Sequence, residues 1–263
     1  MSNTNIYFVV VIYNKDCEDS PSFKYALANH SLLKIIVVDN SEIKTNNEVY
    51  CSQKGIPYIS MNGNAGLSKA YNKALEYIKD NKGFIIWADD DTSFPYNYLE
   101  DMLALMNNNH LSVGLPLVMT SDHIYSPSIF DKYGIPKRIK SLTDLSERLT
   151  GINSGMIVDL DVYSSYRYDE EMFLDFIDHD FCWACNKAGR TIGFTNRVIL
   201  QQESFFSSKL NIRSLMIRRH IFRRDFIRFC DKNDIRKIVG WKTLFNGEIA
   251  IVLKFLRQIL NNE

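Results

Sequence analysis

The sequence has 263 residues, of which 46% are hydrophobic and 13% aromatic, and its formal net charge is zero. This balance excludes a chain that is basic or acidic throughout. The apolar fraction supplies a sizeable core for one large domain, or for a domain with an appendage. No apolar run approaches the length of a membrane span, because the best one, residues 249–256, is interrupted by Lys254.

The five cysteines are odd in number and have no regular spacing, which argues against a disulfide framework. Cys182 and Cys185 have the spacing of a redox motif, but they fall inside a helical pattern, so ordinary core cysteines are expected. The first residues are polar and uncharged, unlike a cleavable signal peptide. These features predict a protein of the reducing cytoplasm.

Buried strands and helices alternate along the chain. The sequence predicts strands at 6–12, 33–38, 58–60 and 84–88, and helices at 21–30 and 69–80. Farther along it predicts helices at 96–107 and 178–188, strands at 115–119 and 153–160, a mobile substrate loop at 121–150, and two amphipathic helices within 207–233 and 243–260. This alternation indicates an α/β fold, with a mostly parallel sheet and helices on both faces.

Three consecutive carboxylates, Asp89, Asp90 and Asp91, follow the apolar strand at 84–88. Adjacent like charges repel, so such a cluster either lies in water or meets a cation. Ligands bind at the carboxyl ends of strands in open α/β sheets, and Mg²⁺ and Mn²⁺ prefer carboxylate and phosphate oxygens. The leading hypothesis is therefore a metal–diphosphate site. The alternative is a solvated acidic turn that caps the next helix.

Four of the predicted strands end in polar residues, which are Tyr13-Asn14, Asp39-Asn40, Asn62 to Asn64 and Asp89 to Asp91. If these strands are parallel neighbours, all four sets meet at one edge of the sheet and line a binding crevice. Glycines at 63 and 66 would let the backbone approach a ligand closely. Taken singly, each set is more readily explained as a loop or a helix cap.

Six motifs occur in order along the chain: Tyr13-Asn14, Val38-Asp39-Asn40-Ser41, Asn64-Ala65-Gly66 with Asn72, Asp89-Asp90-Asp91-Thr92, Asn153-Ser154-Gly155-Met156, and the acidic run from Glu171 to Asp180. Together they resemble the family 2 glycosyltransferases of the GT-A fold. The likeness is strongest to the bacterial branch that contains rhamnosyltransferases and galactofuranosyltransferases, and it covers residues 5–206.

The resemblance implies a nucleotide-sugar site and a divalent metal, Mn²⁺ or Mg²⁺. Asp39 would contact the nucleotide base, and Asp89 and Asp91 would reach the diphosphate through the metal. Asp90 is expected to be structural. The residues implied to bind the nucleotide sugar are Tyr13, Asn14, Asp39, Asn64, Gly66, Asn72 and Asp89.

The same resemblance assigns Asp178 as the general base, with Asp175 and Asp180 as acidic support. An inverting sugar transfer needs a carboxylate that takes the proton of the acceptor hydroxyl, and a cation that stabilises the leaving diphosphate. If brought together, the three acids would raise one another's pKa, which would suit a base. The competing interpretation is that they are ordinary acidic residues at a helix N-terminus.

The chain departs from the family pattern at two positions. A histidine that completes the metal shell is missing from 199–203, where Gln202 or Glu203 would have to take its place. Ala184 stands where the family usually has an arginine. These departures motivate an alternative, in which the chain is a degenerate glycosyltransferase that acts as a glycan-binding or assembly subunit without turnover.

Charge divides the chain into two parts. Between residues 207 and 242, eleven lysines and arginines face three aspartates, a balance of +8 that the first 206 residues offset. We therefore predict a catalytic domain at 1–206, with a nucleotide-sugar half at about 1–92 and an acceptor half at about 93–206, and a basic helical tail at 207–263. Such a tail suits an anionic membrane surface. Alternatively its apolar face packs on the catalytic domain, and no motif supports a nucleic-acid partner.

The sequence thus predicts an inverting, metal-dependent hexosyltransferase with a UDP- or dTDP-sugar donor. Its acceptor would be a lipid-linked glycan of bacterial surface polysaccharide (O-antigen or capsule) biosynthesis, and the protein would bind the cytoplasmic face of the plasma membrane peripherally. Nucleotidyl transfer also uses carboxylates and metal on a related sheet. It requires a glycine-rich basic loop after the first strand, which Asn14-Lys15-Asp16 matches poorly.

Overall fold

The computed structural model describes residues 4–79, 82–119, 123–146, 148–201, 212–236 and 239–240. The described strands are β1 (Ile6–Ile12), β2 (Lys34–Asp39), β3 (Tyr58–Ser60), β4 (Phe84–Asp89), β5 (Thr92–Ser93), β6 (Val113–Met119), β7 (Ile124–Ser126), β8 (Ser128–Phe130), β9 (Pro136–Arg138), β10 (Leu149–Thr150), β11 (Ile157–Asp159) and β12 (Ile192–Gln201). The described α-helices are α1 (Pro21–Ala28), α2 (Asn47–Lys54), α3 (Leu67–Tyr77), α4 (Tyr98–Asn109), α5 (Ile177–Lys187) and α6 (Ile212–Lys232).

Nine of the described strands form one sheet, in the order β3-β2-β1-β4-β11-β6-β12-β5, with β7 also paired to β6. β1 runs parallel to β2 and β4, β2 parallel to β3, and β6 parallel to β12, whereas β5, β7 and β11 are antiparallel to their neighbours. Helices cover both faces of such a sheet, so its central strands are apolar throughout. The predicted α/β fold with a mostly parallel sheet is confirmed.

Alternating side chains of β1 build two hydrophobic cores, one on each face of the sheet. Val9 and Val11 join the cluster that contains side chains of α3, α5 and α6. Phe8 and Val10 join the opposite cluster, which contains side chains of α1, α2 and α4. The sheet therefore has no solvent-facing side at its centre, and a ligand can reach it only at the strand ends.

Helix α6 contributes to the first of these cores. Phe226 and Phe229, in its second half, are 1% and 0% exposed and pack in the same cluster as α5. Met216 and Ile217, near its start, are 56% and 54% exposed. No described helix combines the length and the apolar composition of a membrane span. The second half of α6 thus packs on the rest of the fold, and the helix predicted at 243–260 lies outside the described residues.

The structure differs from the sequence prediction in the segment 121–150. Its described part contains strands, and β10, β8 and β9 form a small antiparallel sheet. The ring of Phe130 on β8 lies 4.9 Å from that of Trp183 on α5, which attaches this sheet to the core. Strands of two or three residues are too short to show a period of two, so the hydrophobic pattern did not indicate them.

Candidate functional site

The carboxyl ends of the parallel strands meet at one edge of the sheet. In the strand register Ile12 of β1 pairs with Asp39 of β2, Asp39 pairs with Ser60 of β3, and Val11 pairs with Asp89 of β4. The polar residues that follow these strands are therefore neighbours, as the sequence predicted. This edge is the candidate functional site.

Asp39 is held at this edge as a buried carboxylate, 4% exposed. Its Oδ2 accepts hydrogen bonds from Thr45 Oγ1, Asn47 Nδ2 and Tyr58 OH at 3.1, 2.9 and 3.1 Å, and its Oδ1 accepts one from the Ser41 amide at 3.0 Å. Burial alone would raise the pKa of Asp39, but these hydrogen bonds outweigh it and the pKa is lowered. The group is thus a fixed anion, and Oδ1 is its less occupied oxygen.

Tyr13 and Asn14 join the end of β1 to the loop after β2. The Asn14 amide donates to Ser41 Oγ at 2.8 Å, and its side-chain oxygen accepts from the amides of Glu42 and Ile43 at 2.9 and 3.2 Å. This explains its φ of 53°, a left-handed conformation that asparagine tolerates. The Tyr13 hydroxyl donates to Glu42 at 2.9 Å, while the residue stays 44% exposed. Asn14 thus shapes the wall of the site, and the Tyr13 ring is accessible at its mouth.

The glycine turn before α3 is tied to the end of β2. Asn64 Oδ1 accepts from Asn40 Nδ2 at 3.1 Å, and Asn40 Oδ1 accepts from the Ala65 amide at 2.8 Å. Gly66 has a φ of 94°, and a Cβ on it would lie 2.7 Å from the ring of Phe173 and 2.9 Å from its carbonyl oxygen. Only glycine fits here. Asn64 and Gly66 thus lie where this edge of the sheet meets residues 169–180, the acidic segment.

Asn72 on α3 braces the acidic segment. Its amide nitrogen donates to Tyr168 O at 2.9 Å and to Glu170 Oε1 at 3.0 Å, and its oxygen accepts from the Tyr168 amide at 3.0 Å. The residue is 7% exposed. Ser68, one turn earlier, donates to Met172 O at 2.6 Å. These contacts give Asn72 an architectural role, whereas its implied contact with a nucleotide sugar stays a prediction.

The three carboxylates at the end of β4, Asp89 to Asp91, differ in their surroundings. Asp90 forms an ion pair with Lys15 Nζ at 2.9 Å and accepts the Tyr13 amide at 2.8 Å, so it ties the end of β4 to the end of β1. This is the structural role that the sequence predicted for it. Asp89 and Asp91, on either side, are half-buried at the sheet edge. The two residues implied to bind metal therefore stand beside an acid that is already neutralised.

The turn 153–155 lies directly beneath the acidic turn. The Gly155 amide donates to Trp87 O at 2.7 Å, and Ser154 Oγ accepts from the Asp89 amide at 3.4 Å. Asn153 is 5% exposed, and its Oδ1 has no hydrogen-bond partner among the described residues. A buried oxygen without a partner is costly unless a ligand or water completes it. Asn153 is therefore a further candidate ligand-binding residue at this edge.

The ligand groups at this edge fit a divalent ion that is coordinated partly by protein and partly by phosphate and water, rather than one enclosed by protein side chains alone. Among the described residues, no three His, Cys, Asp or Glu side chains form a metal cage. Mg²⁺ in phosphate-binding sites typically takes one or two carboxylates and completes its shell with phosphate oxygens and water. Asp89 and Asp91 can supply those carboxylates. Gln202 and Glu203, the suggested third ligands, lie outside the described residues.

Two of the three acids near α5 are already engaged. Both oxygens of Asp175 are bound by the guanidinium of Arg218 on α6, although burial still raises the pKa of Asp175. Asp180 is 1% exposed; its Oδ2 accepts from Lys232 Nζ at 2.6 Å and its Oδ1 from Asn233 Nδ2 at 2.9 Å. A carboxylate bound on both oxygens is a poor proton acceptor for a substrate. Their contacts therefore favour supporting roles.

Asp178 has different surroundings. It is half-buried in the first turn of α5, its Oδ1 accepts from the His179 amide at 2.8 Å, and its Oδ2 makes no hydrogen bond within the described part of the chain. Burial raises the pKa of Tyr71, and the charges of Asp89 and Asp178 both add to that shift. Asp89 and Asp178 thus lie around the same buried phenol.

Helix α6 supplies partners for the acidic segment that sequence reasoning missed. Besides Arg218 and Lys232, Arg228 Nε lies 2.8 Å from Asp169 Oδ2, and Asp225 accepts hydrogen bonds from the backbone of residues 173–175. The signal available in the sequence was Asp225 itself, a lone acid among arginines between residues 212 and 229. Several basic side chains of α6 therefore pair with carboxylates of the acidic segment and are not all directed to water.

Comparison with known proteins agrees with this architecture. The family model described as Glycosyl transferase family 2 matches residues 7–194. A curated relative from Shigella flexneri, described as dTDP-rhamnosyl transferase RfbF, is 26% identical over 194 residues, which are 71% of this chain and 65% of that protein. The match thus spans less than two thirds of the relative's own length.

Solved structures of low sequence identity share the fold. GalNAc-T7, crystallised with UDP, GalNAc and Mn²⁺, superimposes with a TM-score of 0.63 at 11% identity, over 87% of this chain and 48% of its own. Glucosyl-3-phosphoglycerate synthase from Mycobacterium tuberculosis, crystallised with Mg²⁺ and UDP, gives 0.61 at 12% identity, over 89% of this chain and 81% of its own. At such identities the likeness establishes the GT-A-like architecture.

Proposed function

The chain belongs to glycosyl transferase family 2, and from that membership we propose that it is an inverting, metal-dependent glycosyltransferase with a UDP- or dTDP-sugar donor. The observation that carries the proposal is the arrangement of the sheet edge. Asp39 is a fixed anion at the end of β2, Asp89 and Asp91 lie at the end of β4, and Asp178 presents an oxygen without a hydrogen bond among the described residues. These are the groups that donor binding, leaving-group stabilisation and proton removal each require.

The proposed reaction is a single displacement. As the acceptor oxygen attacks the anomeric carbon, its proton passes to Asp178 Oδ2, and the bond from that carbon to the diphosphate oxygen breaks. The new glycosidic bond has inverted configuration, and the nucleoside diphosphate leaves with the bonding electron pair. A divalent ion held by Asp89 and Asp91 would neutralise the charge that develops on the diphosphate. Asp90 and Lys15 fix the turn that carries both carboxylates.

The donor and acceptor are proposed from the relative's name and the resemblance. The relative is called a dTDP-rhamnosyl transferase, which supports dTDP-rhamnose as the first donor to test. The acceptor would be a lipid-linked glycan of surface polysaccharide assembly, such as O-antigen or capsule. The apolar and basic start of α6 is compatible with an acceptor anchored in a membrane.

Binding of sugar nucleotides tests this proposal. We expect one member of a calorimetric panel of UDP- and dTDP-sugars to bind in the presence of Mn²⁺, and to bind about tenfold or more weakly when EDTA replaces the metal. Release of nucleoside diphosphate in the presence of a glycan acceptor would then report turnover. Binding to no nucleotide under either condition would contradict the transferase proposal. Binding without turnover on any acceptor would favour a degenerate subunit.

We also propose that the start of α6 binds an anionic membrane surface on the cytoplasmic side. Met216 and Ile217 are exposed there, at 56% and 54%. The whole segment 207–242 carries a balance of +8. Apolar side chains that enter the headgroup region and arginines that meet anionic lipids are the two contributions that interfacial helices use.

Vesicle sedimentation tests this part of the proposal. We expect the protein to sediment with vesicles that contain phosphatidylglycerol and not with vesicles of pure phosphatidylcholine. Ile217→Ser should weaken binding about tenfold, since burial of an isoleucine side chain contributes about 1.5 kcal/mol. Leu32→Ser, at a 63% exposed leucine outside the basic segment, is the control and should have no effect. Equal binding to both vesicle types, or no effect of Ile217→Ser, would contradict the proposal.

A further inference from the structure

Asp225 is a fully buried carboxylate, 0% exposed, in the middle of α6. Its Oδ2 accepts hydrogen bonds from three consecutive backbone amides, those of Phe173, Leu174 and Asp175, at 3.0, 2.7 and 3.0 Å. Successive amides that converge on one oxygen form an anion-binding nest, which here is occupied by a side chain from another helix. The turn 173–175 is thus fixed to α6 through its backbone.

The other oxygen of Asp225 is bound as well. Its Oδ1 accepts from Arg224 Nε and Nη2 at 3.1 and 3.0 Å. A buried charge is costly unless it is paired and fully hydrogen-bonded, and Asp225 meets both conditions. Apolar packing of Phe226 and Phe229 already holds α6 on the core. The Asp225 carboxylate is therefore not needed to attach α6, and what it adds is to fix the position of the turn 173–175.

The turn that Asp225 holds leads directly into the helix of the proposed base. After Asp175 comes Phe176, which has a φ of 62° and is the residue before α5. A left-handed conformation costs about 1–2 kcal/mol in a bulky residue. The Phe176 ring packs on α6, with ring centroids 5.3 Å from Phe222 and 5.0 Å from Phe226. Helix α6 thus constrains the backbone of residues 173–175 through Asp225 and the side chain of Phe176 through ring packing. Asp178 follows Phe176 by two residues.

The same turn also contacts the donor side of the site. The Leu67 amide at the start of α3 donates to Phe173 O at 2.7 Å. The turn therefore lies between the helix that follows the predicted nucleotide-sugar loop and the helix that carries Asp178. The turn is joined to α5 by the single residue Phe176. A shift of the turn would therefore move the start of α5, and with it Asp178, relative to the proposed donor site.

We propose that Asp225 is a positioning residue for the sugar-transfer reaction: its carboxylate sets the backbone of 173–175 and thereby the placement of Asp178 against the acceptor. This inference rests on the proposed function, in which Asp178 is the base. Asp225 itself touches no substrate. Its removal should impair the chemical step while leaving donor binding intact, which a residue that only supported folding would not do.

Asp225→Asn is the sharpest test because it is nearly isosteric. Both oxygens face donors, the three amides on one side and Arg224 on the other, so the amide NH₂ of asparagine opposes a donor in either orientation. We expect kcat to fall about 100-fold, as for a base displaced by about 1 Å, with the donor Kd within about threefold of wild type. Asp231→Asn, the same change at an exposed position of α6, is the control and should leave kcat unchanged.

Backbone amide exchange makes the outcome independent of activity. In folded Asp225→Asn, exchange should accelerate at residues 173–178 and stay unchanged in Asp231→Asn. Unchanged exchange, or a kcat within about threefold of wild type at unchanged donor affinity, would overturn the positioning role. If the asparagine variant does not fold, Asp225→Glu keeps the charge and moves it by one methylene; a wild-type kcat in that variant would likewise overturn it. Absence of transfer by the wild-type protein would instead refute the proposed function, and the exchange result would still decide the role of Asp225.

Discussion

Asp178→Asn is expected to lower the transfer rate about 10³-fold while donor binding stays within about twofold of wild type. An asparagine amide keeps the size of the side chain but cannot accept the proton of the acceptor hydroxyl at neutral pH. The Oδ1 contact with the His179 amide at 2.8 Å can be kept by the amide oxygen, so the fold around the first turn of α5 should survive. Single-turnover release of nucleoside diphosphate, with calorimetric donor binding alongside, measures both quantities.

Glu171→Gln is the matched control for this prediction. It is the same acid-to-amide change in the same segment, at a side chain that is 71% exposed and paired only at the surface with Arg228. Its rate should stay close to that of the wild type, since exposed ion pairs contribute little. A rate in Asp178→Asn within about tenfold of wild type would reject the base assignment. Asp175 and Asp180 would not be ready substitutes, because Arg218 and Lys232 already bind them.

The strands that build the site were accessible from the sequence because each is a short apolar run bounded by polar residues. β1 has the predicted bounds, 6–12, and the predicted strand 84–88 is extended by one residue, Asp89. Once the strands are parallel, their register brings the polar ends together. The convergence of Asp39 and Asp89 therefore follows from topology and needs no knowledge of side-chain contacts.

The strand predicted at 153–160 proved shorter for a local reason. Gly155 has a φ of 77°, so the backbone turns there and β11 begins only at Ile157. The sequence showed the motif Asn153-Ser154-Gly155 through its resemblance to the family, but its geometry depends on partners far along the chain. Ser154, for example, accepts the Asp89 amide. Such contacts cannot be read from periodicity.

The function of α6 could be predicted only in part. Its alternation of arginines and apolar residues predicts an amphipathic helix, but it does not say which carboxylates the arginines meet. Those partners lie some 40 to 60 residues away in sequence, such as Asp175 for Arg218 and Asp169 for Arg228. Met216 and Ile217 near the start of the helix are exposed, whereas Arg218 binds the acidic segment and the second half packs on the core. The membrane and packing alternatives thus concern different side chains of one helix.

Asp91→Asn is expected to weaken Mn²⁺-dependent donor binding on the order of 100-fold, whereas Asp90→Asn should leave the dependence on Mn²⁺ in place. The physical reason is that a shared ion depends on the charge of its few protein ligands, and an amide oxygen supplies none. Asp90 Oδ1 already pairs with Lys15 Nζ at 2.9 Å, and its Oδ2 accepts a hydrogen bond from the Tyr13 amide at 2.8 Å. Calorimetric titration of the donor at several Mn²⁺ concentrations measures how the donor Kd of each variant depends on Mn²⁺.

The comparison of the two variants separates a metal site from an acidic turn. If the acidic cluster is only a solvated cap, neither change should alter the dependence of donor affinity on Mn²⁺, and Asp90→Asn should be the more damaging to thermal stability because it loses the Lys15 ion pair. If Asp89 and Asp91 hold the ion, the Asp91 variant should lose the dependence of donor affinity on Mn²⁺, while the Asp90 variant should keep it. Equal loss in both variants would mean that the position of the whole turn, set by Asp90 and Lys15, controls metal binding.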